Sequence, residues 1–318
     1  MRAHVRPEPA TYRILREVAD GLSAPQKELS PKYFYDHRGS ELFEEITQLP
    51  EYYPTRTERA ILDAWMPSLI ARLGTRTLIE LGAGSAEKSR LILDAMRVAG
   101  TAERYVPIDV SATFLSQTAA RLRREYPGLK VEPAVADISE ELNLPRGLPR
   151  PALFAFLGST IGNFYPPAAI RLLGRVRAAM EPGDRFLMGA DLRKDVARIE
   201  AAYNDSRGVT AEFNRNMLRV LNHELGADFD PEAFEHRAFY DTVTHRIEMH
   251  LVSVGTQTVN VPGIGGIAFA DGETLRTEIS AKYDRESVAA LFEAAGLRID
   301  AWRTDPENLF ALVVGAPA

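Results

Sequence analysis

Apolar residues in the middle of this chain fall into short continuous runs, each followed by a longer stretch in which apolar and polar positions mix. The runs are TLIELG from residue 77, RYVPIDV from 104, KVEPAVADI from 130, PALFAFLGS from 151 and DRFLMGADL from 184. Between them stand SAEKSRLILDAMRVA, SATFLSQTAARLRREY and PPAAIRLLGRVRAAM, with apolar residues at helical spacing. Short apolar runs bounded by turn residues read as strands buried on both faces, so residues 75–191 predict a doubly wound, mostly parallel sheet covered by helices. Near the C-terminus SVAALFEAAG predicts a helix. LRIDAWRTD and LFALVVGA then predict two strands joined through Asp305-Pro306-Glu307-Asn308, a closing antiparallel hairpin.

The stretch between these parts leaves the sheet and returns to it. VARIEAAYNDSRGVTAEFNRNMLRVLNHEL predicts a helix, a glycine-marked break and a second helix, while HRIEMHLVSV and ETLRTEIS alternate as strands. The expected fold is α/β: a Rossmann-like domain of residues 57–191 and 283–318, and a second, α+β lobe of residues 1–56 and 192–282.

Composition narrows the function. A chain of 318 residues suits about two domains of roughly 150 residues each, and a net charge of -6 argues against nonspecific binding to nucleic acid or to an anionic membrane. No apolar run reaches the roughly 18 residues of a membrane span, and the first twelve residues lack the apolar core of a signal peptide. A cytoplasmic monomer acting on a small molecule is expected. With no cysteine and six scattered histidines, no metal site is expected, and His245 and His250 read as solvent-facing residues around a strand.

Candidate chemistry begins at Gly82-Ala83-Gly84, where the first strand gives way to a helix. Glycines there permit positive φ and a close backbone approach to a ligand. A dinucleotide fingerprint wants a third glycine where Glu87 stands, which favours S-adenosylmethionine (SAM) over NAD; a purely structural turn is the bland alternative. Asp109 ends the next strand, placed to accept from ribose hydroxyls or to cap the following helix, a task Ser111 could also take. Asp137 closes KVEPAVADI where such folds contact adenine. Asn163, in LGSTIGN, falls at the edge where cofactor and substrate meet, as a partner for a carboxylate or amine. Glu278 and Ser280 share a strand face, as do Ile247, Met249 and Leu251. Should those faces meet, they offer one carboxylate, one hydroxyl and an apolar wall to a small heterocycle; otherwise Glu278 is a solvated strand residue and Met249 a core one. The aromatic stretches at 31–36 and 51–56 are packing residues or a lid.

The block SPKYFYDHRGSELFEEITQLPEYYPTRTE, then IELGAGSAEKSR, FLGSTIGN, AAYND, GVTAEFNRN and TEISAKY, occur in an order that resembles the bacterial L-histidine Nα-methyltransferases of ergothioneine biosynthesis. The resemblance covers nearly the whole chain. It implies a class I methyltransferase domain with a substrate-binding lobe, SAM as methyl donor, and conversion of histidine to Nα,Nα,Nα-trimethylhistidine (hercynine). It further implies that Gly82, Lys88, Asp109, Asp137 and Ile138 contact SAM, with Lys88 on the methionine carboxylate. By the same implication Tyr52, Asn163 and Tyr203 hold the amino-acid end of histidine, Tyr35 lies near the reacting amine, Glu278 and Ser280 bind the imidazole and Met249 packs beside it. By itself Lys88 reads only as a surface residue of its helix. Three alternatives stay open: an N-methyltransferase for another aromatic amino acid or amine, a noncatalytic SAM-binding protein and an NAD-dependent oxidoreductase.

Overall fold

The structure, a computed structural model, describes residues 10–138 and 142–318. The part of the expected second lobe at residues 1–9 lies outside the described residues. The chain runs through α1 (Ala10–Ser23), β1 (Lys27–Glu28), a 3-10 turn at Pro31–Phe34, α2 (His37–Thr47) and α3 (Tyr53–Leu73). The alternating part follows: β2 (Thr77–Leu81), α4 (Glu87–Val98), β3 (Arg104–Asp109), α5 (Ala112–Glu125), β4 (Lys130–Val131), β5 (Ala134–Val135), β6 (Ala152–Phe156), α6 (Pro166–Ala179) and β7 (Arg185–Asp191). Next come α7 (Val196–Ala201), α8 (Val209–Leu225), β8 (Phe234–Asp241), β9 (Arg246–Ser253), β10 (Gln257–Val261), β11 (Gly265–Phe269) and β12 (Thr274–Ala281). The chain closes with α9 (Arg285–Ala294), β13 (Leu297–Thr304) and β14 (Phe310–Pro317).

It divides into two compact units, one of the residues up to Tyr53 with Asp195–Ile279, the other of Pro54–Lys194 with Ser280–Ala318. The second unit holds an eight-stranded sheet in the order β13-β14-β7-β6-β2-β3-β4, with β5 also on β3. Strands from β4 to β7 pair in parallel, and β14 and β13 add antiparallel. All five residues of β2 and of β6 are buried, because helices cover both faces. Alternation then sends Ile79, Phe154 and Phe156 to one core and Leu78, Leu153 and Ala155 to the other. This explains why the runs lack polar positions. KVEPAVADI, expected as one strand, is two short ones, since Pro133 has no N–H to give the ladder.

In the other unit β1 lies parallel to β12, β12 neighbours β9, and β9 pairs antiparallel with β8; β10 and β11 form a separate hairpin. α8 lies on β8 and β9, with Phe213, Asn214, Met217, Leu218 and Leu221 buried. Its start is set by Asp205, whose carboxylate accepts from the N–H groups of Val209 (3.0 Å) and Thr210 (2.7 Å). Its end is Gly226 at φ +67, a left-handed cap that a side chain would strain.

Candidate functional site

In the sheet unit β2 stands between β3 and β6, so the chain winds away from it in both directions, and ligands of such sheets bind outside the strand ends at that switch point. Gly82 and Gly84 there have φ of +68 and +49, and Ala86, which starts α4, is held at +57 without being glycine. A Cβ added at Gly84 would meet nothing within 4 Å, and one at Gly82 only the Phe156 ring at 4.0 Å, so the turn is an open cradle. Asp109 closes it: one carboxylate oxygen accepts from Gly84 N–H (3.0 Å) and the other from Ser111 N–H (3.1 Å). Each oxygen keeps a second lone-pair direction, which suits ribose hydroxyls. Ser111 is at the cap position of α5 but makes no side-chain cap bond. Asp137 and Ile138 follow β5, both half-buried, with Ile138 against the core.

A second turn follows β6. Gly158 has φ +76 and Ser159, not a glycine, +57, before the 3-10 turn Thr160–Asn163. The Ser159 hydroxyl accepts from Asp191 N–H (2.9 Å), tying the ends of β6 and β7. Glu58 of α3, 0% exposed, accepts from Gly158 N–H at 2.9 Å and pairs with the ammonium of Lys88. Lys88 is thus held at the strand ends by a carboxylate that the sequence reading missed. Glu80, just before the turn, takes hydroxyl hydrogens from Ser89 and Tyr105. Burial pushes its carboxyl up to about 7, against the opposing pull of those hydroxyls and of Lys88. At Gly162 a Cβ would sit 2.8 Å from the Ala281 carbonyl oxygen, so only glycine lets the end of β12 approach this closely. That contact brings half-buried Asn163 beside the Ser280-Ala281 segment, where Ser280 is 4% exposed.

In the other unit, Tyr35, Tyr52 and Tyr203 come from separate segments and meet through two phenylalanines the sequence reading did not single out. Tyr35 lies edge-on to Phe43 (5.8 Å between centroids) and Phe213 (5.9 Å); Tyr52 lies edge-on to Phe43 (6.2 Å) and Tyr203 (6.4 Å). Tyr203 is fixed further by its carbonyl, which accepts from His236 Nε2 (2.8 Å). His236 Nδ1 in turn accepts from the Asn214 amide (2.9 Å), whose oxygen accepts from Thr277 (2.6 Å). Burial holds His236 below its ordinary pKa, so this chain of bonds is neutral.

The same bonds set the faces of these strands. Met249 pairs with Ala238 and Leu251 with His236, so Met249 shares the face on which His236 and Thr277 reach Asn214 of α8. Glu278, next to Thr277, takes the opposite face by strand alternation, as does Arg276, which reaches Glu248 at 3.4 Å. Met249 is 1% exposed. His250, expected to face solvent, is 4% exposed, stacked on Phe239 and bonded to Glu248 (3.0 Å).

A family model of histidine-specific, SAM-dependent methyltransferases matches residues 14–316. The chain belongs to that family. It is 45% identical to the histidine N-alpha-methyltransferase of Mycobacterium tuberculosis (strain CDC 1551 / Oshkosh), with 98% of each chain covered. To the protein of that name from Mycolicibacterium smegmatis (strain ATCC 700084 / mc(2)155) it is 46% identical, over 95% of this chain and 94% of that one. A crystal structure of a SAM-dependent methyltransferase from Clostridium acetobutylicum ATCC 824 superposes with a TM-score of 0.51 at 12% identity, covering 87% of this chain and 98% of the other. That likeness concerns the fold, which is the class I methyltransferase fold. The protein is a SAM-dependent methyltransferase, and the open glycine turn with Asp109 beside it fits the methyl donor.

Proposed function

We propose that this methyltransferase trimethylates the α-amine of L-histidine, giving hercynine as the first step towards ergothioneine. The observation that carries the reading is the near full-length identity to proteins named for histidine Nα-methylation. When bound, SAM supplies an electrophilic methyl group on a sulfonium. Gly82, Asp109, Asp137 and Ile138 would hold its nucleoside part and Lys88 its carboxylate. Tyr52, Asn163 and Tyr203 are assigned to the amino-acid end of histidine, and Glu278 and Ser280 to its ring, with Met249 beside it.

The protein's own task is to position a neutral amine. An α-amine titrates at about 8, so it must shed a proton before its lone pair can attack, and again before each later transfer. Tyr35, 42% exposed, and Asn163 are assigned to orienting that amine and passing its proton to water. A cytoplasmic monomer belongs to the same proposal, and elution from a calibrated size-exclusion column checks its second half.

The decisive experiment is mass spectrometry of the purified protein incubated with SAM and, separately, histidine, tryptophan and tyrosine. Histidine carrying one, two and three methyl groups, with none on the others, is the expected result. Methylated tryptophan or tyrosine with untouched histidine would keep the reaction class and discard the ring assignment.

A further inference from the structure

Two ammonium groups share one buried carboxylate at the end of β7. Asp191 Oδ1 meets Lys194 Nζ at 2.5 Å and Oδ2 meets Lys282 Nζ at 2.8 Å, with all three side chains at most 7% exposed. Burying three charges is weak as a device for stability, since well-packed apolar residues do as well. A role in specificity accounts for it better. Lys282 Nζ also lies 2.9 Å from Ser280 Oγ. An ammonium has hydrogens and no lone pair, whereas a hydroxyl has one hydrogen and two lone pairs. Ser280 therefore accepts from Lys282 in that contact, and the one hydrogen it carries is what it can donate.

We propose that Lys282 is a positioning residue that fixes Ser280 as a hydrogen-bond donor to the unprotonated nitrogen of the substrate's imidazole. The inference rests on the assignment of Ser280 to the ring made above. Glu278, two residues earlier on the strand, is an acceptor only when ionised, so the two side chains ask for one ring N–H and one bare ring nitrogen. Neutral imidazole carries that pair. Imidazolium, with an N–H at both places, and a phenyl ring, with neither, do not. Asp191 keeps the Lys282 ammonium in place, and Lys194 supplies the second charge on that carboxylate.

A double-mutant cycle on the full-length enzyme tests this, with steady-state kinetics for Ser280→Ala, Lys282→Met, the two combined, and Lys194→Met. Each of the first two should raise KM for histidine about tenfold, leaving KM for SAM unchanged and kcat nearly so. If Lys282 acts through Ser280, the double variant is no worse than Ser280→Ala alone. Lys194→Met should keep the histidine KM of the wild type. Lys282→Gln provides a better-tolerated variant: its amide oxygen can take the Ser280 hydrogen, so KM for histidine should rise there too. Additive effects of Ser280→Ala and Lys282→Met, or a wild-type KM in both Lys282 variants, would overturn the proposal while leaving Ser280 in its role. An unchanged histidine KM in Ser280→Ala would instead remove Ser280 from the ring, and the role of Lys282 with it.

Discussion

At the strand ends of the eight-stranded sheet, polarity is buried as charge: Glu58 is 0% exposed and Asp191 1%, each held by ammonium groups. Beside the cluster of rings the buried series from Thr277 through Asn214 and His236 to the Tyr203 carbonyl is neutral, and the nearby Asp205 carboxylate is taken up by the N–H groups that start α8. The contrast follows the two halves of the proposed reaction. A methyl donor with a sulfonium and a carboxylate is matched by placed charges. In the proposed reaction the nucleophilic amine has to be neutral, and a neutral surround offers its ammonium form no ion pair.

The strongest challenge to this contrast is Glu278→Ala. Loss of one partner from a buried charge-assisted bond costs roughly 2 to 5 kcal/mol, about 30-fold to several thousand-fold in affinity. Calorimetry should therefore show histidine binding strongly weakened and SAM binding nearly intact; equal histidine affinity would take Glu278 out of the site. Lys88→Met tests the charged side. SAM affinity should fall about tenfold or more, and stability in urea by about 3 kcal/mol, because Glu58 is left buried without its cation. A variant that binds SAM normally would detach Lys88 from the donor.

Gly162→Ala probes the approach of β12 to the turn after β6. The added methyl would sit 2.8 Å from the Ala281 carbonyl oxygen, and forced overpacking of this kind costs about 1 to 3 kcal/mol, readable as a lower urea midpoint. The smallest effects are in pH dependence, and they have opposite signs in the two regions. Glu80 is raised from its ordinary 4.5 to about 7, so the folded protein holds a proton the unfolded chain has released. The stability tied to it is complete below 4.5 and declines as pH rises through about 7, and Glu80→Gln should abolish that decline in melting temperature. His236 is lowered from 6.5 by burial, so its contribution is present above 6.5 and lost as pH falls below it, a loss that His236→Gln should flatten.

Much of the sheet unit was legible because its signals are local. β2, β6 and β7 are apolar runs because both their faces are covered, and Gly82 and Gly84 stand where φ is positive. Pro133 alone breaks the pattern, and its missing N–H is the reason. Glu58 left no trace, since an acid on a helix reads as solvated until the helix is placed against Gly158 and Lys88. Phe43 and Phe213 carry no mark of their own in the sequence, and only the packing of α2 against α8 joins them to Tyr35.

The sequence by itself determined the order of strands and helices, the glycine turn and the family, for these reside in runs, spacings and residues adjacent along the chain. Which face a residue takes, and whom it meets, came only with the tertiary structure. Thr277 met Asn214 of α8, 63 positions earlier, and Ser280 gained Lys282 as partner through Asp191, which is 91 positions away from that lysine. Such contacts join residues far apart in the chain, and no local pattern encodes them.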